Sequence, residues 1–240
     1  MKLYIKFLYT AGVVLLLGGT SLIAEEQSPK DIMKKAFHYI GTMDKYAFDA
    51  VVIENETGED GTLHKYRHDV SVKIDRPGQF RIDTKDDVKD RSNYLNNGVY
   101  TMMDHGFAYY GQINAAKTID GTLDYIFEEY GIRSPLAQLL YSDMHKRTKF
   151  KSSKNFGIVN VDGTECHYVA FSNGARDVHI WVATGDKPLV KAYSIIDKTD
   201  EGELRTNTTL YWKNSSTVSD KDFVFTAPKG ATKITVNSAY

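Results

Sequence analysis

The fold is constrained most by a series of short strand-like segments that are separated by turns of a few residues. In "QFRID", Phe80 and Ile82 fall on one face of a strand and polar residues fall on the other. Asn97-Gly98 and Asp162-Gly163 each lie between two such segments and are typical of tight hairpins. Because connections this short join neighbouring antiparallel strands, the sequence predicts one large antiparallel sheet.

Three segments show helical periodicity instead. Ser28-Pro29 suits the first turn of a helix, and apolar residues between 32 and 40 recur at helical spacing. Residues 119–130 carry a second apolar stripe, and Ser134-Pro135 predicts the start of a third helix. One-sided stripes must pack on an apolar surface, and one face of the sheet is the expected partner. The sequence therefore predicts an α+β fold in which about three α-helices cover a large curved antiparallel β-sheet.

The first 24 residues have the layout of a secretory signal peptide. Lys2 and Lys6 precede an apolar run over residues 7–17, and cleavage is expected after Ala24. The alternative is an uncleaved membrane anchor, but the run is short for a spanning helix, which needs about 20 residues. No later segment is apolar enough to span a membrane. We therefore expect a periplasmic protein in which residues 25–240 form a single domain without a linker or internal repeat.

The charge and cysteine content argue against a nucleic-acid-binding protein and against a protein stabilised by internal disulfides. The chain has 240 residues with 30 Lys and Arg against 31 Asp and Glu, which gives no electrostatic basis for binding nucleic acid. Its single cysteine, Cys166, cannot form an internal disulfide. We therefore expect stability to come from the hydrophobic core.

The pair Cys166-His167 invites comparison with a catalytic dyad. The pair begins "CHYVAF", a strand-like segment, and adjacent residues of a strand point to opposite faces. The two side chains are then unable to reach one another. A buried packing role for Cys166 is the simpler interpretation, because free cysteine is among the most buried residue types.

The sequence contains no established metal or catalytic motif. A metal site needs three or four converging ligands, whereas His64, His68, His167 and His179 show no such arrangement. Nucleophile elbows, phosphate loops and dinucleotide fingerprints are missing as well. We therefore predict no catalytic residue, no metal and no cofactor. A hydrolase or metalloprotein that uses these histidines is the weakest of three alternatives.

The apolar helices offer a binding function. They either complete an ordinary core or form a lid over a hydrophobic cavity that holds a lipid-like ligand through buried area. The second interpretation predicts a non-catalytic carrier or binding protein, and an envelope sensor or scaffold that acts through protein contacts is the other alternative. The candidate cavity residues are Phe80, Ile82, Ile126, Phe127, Leu136, Leu139 and Leu140.

Four stretches resemble a known family. They are "RPGQFRID", "TIDGTLDYIFEEYGIRSPLAQLLYSD", "VDGTECHYVAF" and "VHIWVATGDKPL". In this order they resemble the predicted periplasmic proteins grouped as domain of unknown function 2092, within the LolA-like superfamily of lipoprotein carriers and LolB- and LppX-like proteins. The resemblance implies a curved antiparallel half-barrel that is closed by helices and has an apolar interior. It also implies a lipid-like or lipoprotein ligand, with envelope proteins as possible partners, and it assigns no individual functional residue.

Overall fold

The computed structural model describes residues 27–57, 60–86, 89–134, 136–198 and 204–239. The predicted signal peptide, residues 1–24, lies outside this part of the chain. The described helices are α1 (Pro29–Thr42), α2 (Ile119–Tyr130) and α3 (Met144–Arg147), with 3-10 turns at Ala137–Leu139, Ser215–Thr217 and Asp220–Phe223. The described strands are β1 (Lys45–Thr57), β2 (Leu63–Asp75), β3 (Gln79–Lys85), β4 (Asp90–Asn96), β5 (Val99–Asp104), β6 (Tyr109–Asn114), β7 (Ser152–Val161), β8 (Thr164–Ser172), β9 (Arg176–Ala183), β10 (Val190–Asp197), β11 (Leu204–Lys213) and β12 (Thr232–Ile234).

All these strands belong to one open, curved sheet. Its order is β12-β6-β5-β4-β3-β2-β1-β11-β10-β9-β8-β7, so two runs of consecutive strands meet at the β1–β11 pair. Every neighbouring pair is antiparallel except β12 with β6, which is parallel. The predicted α+β fold with a large antiparallel sheet is confirmed. Within the described ranges, no helix is long and apolar enough to cross a membrane.

The predicted hairpins have the backbone that their residues favour. Asn97 and Gly98 have φ values of 51° and 74°, and Asp162 and Gly163 have values of 47° and 80°. Two successive left-handed residues form the tight turn whose twist matches that of the flanking strands. Asparagine, aspartate and glycine tolerate this region best, which explains why these pairs predict hairpins.

The first two helices begin where the sequence predicts. The Ser28 hydroxyl accepts a hydrogen bond from the Asp31 amide at 3.2 Å, and Thr118 caps α2 in the same way. Gly131, with φ 64°, ends α2 in the left-handed conformation. Each cap satisfies a backbone donor that the helix itself leaves unpaired.

The third predicted helix is wrong in position and extent. Leu136 has a φ of 57°, so the helix predicted from Ser134 does not continue through it. Residues 137–139 form a single 3-10 turn, and a short helix follows at Met144–Arg147. A left-handed residue interrupts the repeating helical hydrogen bonds, and the apolar spacing of leucines cannot overcome that interruption.

One apolar core joins the helices to the sheet. The apolar residues of α1 and α2 form a single buried cluster with inward residues of β1, β2 and β3, among them Phe48, Ile74 and Phe80. Along β1 the inward positions Tyr46, Phe48, Ala50 and Val52 are all buried. The helices therefore cover one face of the sheet. On the other face, Ala47 packs with Val218 and Phe223 in a small separate cluster.

Candidate ligand-binding site

A cavity of about 950 Å³ opens beside this core, on the helix-facing side of the sheet. One part of its sheet wall comes from alternate residues of four adjacent strands, because alternate residues face the same side. These residues are Val52 and Glu54 in β1, His68 and Val70 in β2, Tyr193 and Ile195 in β10, and Thr206 and Thr208 in β11. Residues of β3 to β6 continue the sheet wall. The chain that follows α2 and the strand β12 complete the walls.

Part of the cavity wall is apolar. Tyr100 and Met102 of β5 line it, and Ile132 and Leu136 line it from the segment that follows α2. Val236, which follows β12, and Gly111 of β6 also line the cavity. The two residues are close neighbours, because a Cβ atom added at Gly111 would overlap with the Val236 side chain. Because apolar surface gains free energy when it leaves water, this wall favours an apolar chain over solvent.

The sheet wall also carries a polar cluster centred on His68. The His68 Nδ1 atom lies 2.6 Å from Asp86 Oδ2, and its Nε2 atom lies 3.2 Å from Glu54 Oε2. The His68 side chain is only 12% exposed. Both ring nitrogens of His68 therefore have carboxylate partners within hydrogen-bond distance in the protein itself.

Three hydroxyls of the cavity wall have no hydrogen-bond partner among the described residues. They are Thr84 Oγ1 on β3, Ser134 Oγ after α2 and Thr208 Oγ1 on β11, and all three atoms are buried. An unsatisfied buried hydroxyl costs about 1–3 kcal/mol. A polar group on a bound molecule would remove that cost.

The two buried phenols of the wall stay neutral. Burial raises the pKa of Tyr100 and of Tyr193 above the ordinary value. The Tyr100 hydroxyl donates to Asn93 Oδ1 at 2.9 Å. The phenols therefore act as neutral hydrogen-bonding groups, and neither is a base at physiological pH.

The structure separates the predicted cavity residues into three groups. Leu136 lines the cavity. Phe127 is 47% exposed, and the Arg133 guanidinium lies 5.1 Å from its ring centroid. The others lie within the packed core and outside the cavity lining: Phe80, Ile82, Ile126, Leu139 and Leu140. Ligand contact by any of the seven stays a prediction.

The cavity residues that sequence reasoning missed carry one recognisable signal. On β1 the inward positions change from Val52 to Glu54, and on β2 they change from Val70 to His68. The two changes lie close together, because His68 is directly opposite Val52 and Glu54 is two residues further along β1. A simultaneous change from apolar to polar on one face of adjacent strands indicates where core packing ends.

The Cys166-His167 pair shows no catalytic geometry. Cys166 is fully buried, and burial raises the pKa of its thiol. His167 lies on the opposite side of β8, on the face where Val169 and Phe171 join the core, and it borders a separate cleft of about 270 Å³. Burial and the nearby Lys35 lower the pKa of His167. A protonated, buried thiol is a poor nucleophile.

The other two histidines considered as metal ligands, His64 and His179, also have local partners. His64 Nε2 lies 3.0 Å from Thr62 Oγ1, and His179 Nδ1 lies 2.7 Å from the Tyr168 hydroxyl. In the part of the chain that the structure describes, no group of three or more His, Cys, Asp or Glu side chains is arranged to hold a metal ion.

Residues 30–237 match the family model described as "Predicted periplasmic protein (DUF2092)". The chain belongs to this family. The resemblance of the four sequence stretches to DUF2092 is thereby confirmed, and the match runs from the second residue of α1 through β12. No curated protein matches the sequence.

Several solved structures are similar in shape to this DUF2092 protein at low sequence identity. LprF from Mycobacterium bovis is 14% identical, with 85% of this chain and 97% of that chain covered and a TM-score of 0.46. The lipoprotein LppX from Mycobacterium tuberculosis is 10% identical, with 78% and 97% covered and a TM-score of 0.44. A LolA superfamily protein from Nitrosomonas europaea is 10% identical, with 83% and 98% covered and a TM-score of 0.35.

Proposed function

We propose that this DUF2092 protein is a non-catalytic periplasmic carrier or binding protein for a lipid-like ligand, which it holds in the cavity between the sheet and the segment that follows α2. The cavity itself carries the proposal. Its volume of about 950 Å³ lies within the range of roughly 300–1,000 Å³ that is typical of small-molecule sites. The family description and the predicted signal peptide support the periplasmic location.

The mixed lining favours an amphipathic ligand over a pure hydrocarbon. An acyl chain along Met102, Ile132 and Leu136 gains roughly 0.8 kcal/mol for each buried CH₂ group. The free hydroxyls of Thr84 and Ser134 suit a polar group such as an ester, amide or hydroxyl at the other end of the ligand.

A binding role needs no reactive group, and this agrees with the state of the side chains around the cavity. His68 is held between two carboxylates, and the buried phenols of Tyr100 and Tyr193 are neutral. These groups position a ligand through hydrogen bonds and shape, without proton transfer or covalent chemistry.

Native mass spectrometry of protein purified from envelope extract tests the proposal, followed by titration of the delipidated protein with a fluorescent fatty acid. We expect a copurified lipid and saturable binding of the probe. Met102→Trp places a larger side chain in the apolar part of the cavity and should weaken binding at least tenfold. Ile158→Trp, at a residue of β7 that is 58% exposed, should leave affinity unchanged. Equal affinity of both variants, or no binding at all, contradicts the proposal.

An envelope sensor or scaffold is the second candidate, because the edge strand β7 exposes apolar side chains. Phe156 is 43% exposed and Ile158 is 58% exposed, and β7 pairs with a neighbour on one side only. Exposed apolar side chains on an open edge favour protein contacts. Recovery of a stable envelope partner by the wild type, and its loss in Ile158→Ser, would support this role.

A further inference from the structure

The rim of the cavity exposes large apolar side chains on one side. Phe107, in the turn between β5 and β6, is 72% exposed, and Tyr109 and Ile234 are each 47% exposed. All three border the cavity, and β12 pairs with β6 beside them. Exposed apolar side chains that cluster around one opening indicate an interaction surface rather than scattered surface hydrophobics.

The segment that follows α2 adds a second apolar group to the rim. Arg133 borders the cavity and stacks over the ring of Phe127, which is 47% exposed. This pair combines an apolar ring with a cation at the outer edge of the opening. Such a combination suits an interface where hydrocarbon and charged groups lie side by side.

The rim of the cavity carries two exposed basic side chains. The charged side chains that line the cavity are Glu54, Lys89, Arg91, Asp104 and Arg133. Arg91 pairs with Asp104 at 2.9 Å, and Glu54 contacts His68. Lys89 and Arg133 are exposed, and among the described residues neither forms an ion pair. The rim therefore offers two cations to an external anionic partner.

We propose that this rim, formed by Phe107, Tyr109, Phe127 and Ile234 with Lys89 and Arg133, docks on an anionic phospholipid bilayer. The apolar side chains enter the interfacial region while the two cations contact headgroup phosphates. Docking in this orientation places the cavity opening against the bilayer. A ligand then passes between bilayer and cavity without crossing water, and only this transfer step rests on the proposed function.

Vesicle sedimentation with the exported chain, residues 25–240, tests the docking surface. The vesicles contain phosphatidylglycerol with phosphatidylethanolamine, or phosphatidylcholine alone. We expect the wild type to prefer the anionic vesicles. Phe107→Ser should weaken this binding about tenfold, because an aromatic ring no longer leaves water. Arg133→Gln should weaken it roughly fivefold and leave binding to neutral vesicles unchanged.

Ile158→Ser is the matched control, since Ile158 is 58% exposed on β7, at the sheet edge opposite β12. It should change vesicle binding less than twofold, and the unfolding midpoint of each variant verifies that the fold is intact. The proposal is overturned if the wild type does not prefer anionic vesicles, or if Ile158→Ser and Phe107→Ser lose binding equally. Cross-links from position 107 to an envelope protein and not to lipid would also overturn it.

Probe affinity measured without vesicles separates the two proposals. Loss of vesicle binding with intact affinity for the fatty-acid probe rejects the docking surface alone. Absence of probe binding by a protein that still sediments with anionic vesicles rejects the carrier function and supports the docking surface.

Discussion

His68 lies on the cavity wall, and its contacts determine which roles are open to it. Histidines are the usual candidates for acid-base chemistry or metal binding. Here the ring lies between Asp86 and Glu54, and each ring nitrogen contacts one carboxylate. The two contacts link His68 to both acidic side chains, of which Glu54 lines the cavity. His68 therefore joins β1 to the residue that follows β3 on the polar side of the cavity wall.

Asp222 provides a residue whose contribution to stability depends on pH. Burial raises its pKa, but the Lys73 ammonium and the Ser219 donors outweigh burial, so the pKa lies below the usual value. A lowered folded-state pKa stabilises the protein above the ordinary Asp pKa of about 3.9, and this contribution is lost as the pH falls further. Asp222→Asn should lower the free energy of unfolding at pH 7, and the deficit should fade below about pH 3.9.

Urea unfolding at pH 7 and at pH 3 measures this difference. Asp220→Asn is the control, because Asp220 lies in the same 3-10 turn but is 88% exposed. Its contact with Lys45, at 3.7 Å, is longer than the contact between Asp222 and Lys73. A deficit of equal size at both pH values would rule out the ionic origin of the contribution.

At the scale of elements, α1 is placed by a close approach at its last turn. Gly41 lies against the Ser142 carbonyl, and a Cβ atom added there would overlap with it. Gly41→Ala should therefore destabilise the protein by about 1–3 kcal/mol, as overpacking does. Gly106→Ala is the matched control, because a Cβ atom added at Gly106 would lie at an ordinary contact distance of 3.5 Å from Asp104 Oδ1. Thermal unfolding measures the midpoint of each variant. Equal midpoints for Gly41→Ala and Gly106→Ala would contradict the close approach at Gly41.

The elements also show what periodicity can and cannot predict. The strands and the first two helices follow from alternation, caps and turn pairs, because these signals act within a few residues. The third helix fails because Leu136 adopts a left-handed backbone, which leucine spacing does not reveal. The short parallel strand β12 depends on β6, more than a hundred residues away along the chain, and only the tertiary fold brings them together.

For the whole molecule, the sequence predicts the sheet and its helical cover but not the position of the cavity. Apolar residues such as Phe80 and Leu139 are of the type expected in a hydrophobic pocket. In the structure they are instead fully buried in the packed core. The cavity forms where the inward faces of β1, β2 and β11 become polar and the packing stops. Local composition cannot distinguish a filled interior from an open one, because the difference depends on how distant segments meet.

This division between core and cavity predicts that stability and ligand affinity respond to different residues. Ile126→Ala leaves a void in the core and should reduce the free energy of unfolding by about 2–5 kcal/mol. Because Ile126 does not line the cavity, the affinity of the folded variant for a fatty-acid probe should change less than threefold. Urea unfolding without ligand and probe titration well below the unfolding midpoint measure the two quantities separately. A tenfold loss of affinity in Ile126→Ala would show instead that the ligand reaches between α2 and the sheet, as the sequence predicted for this residue.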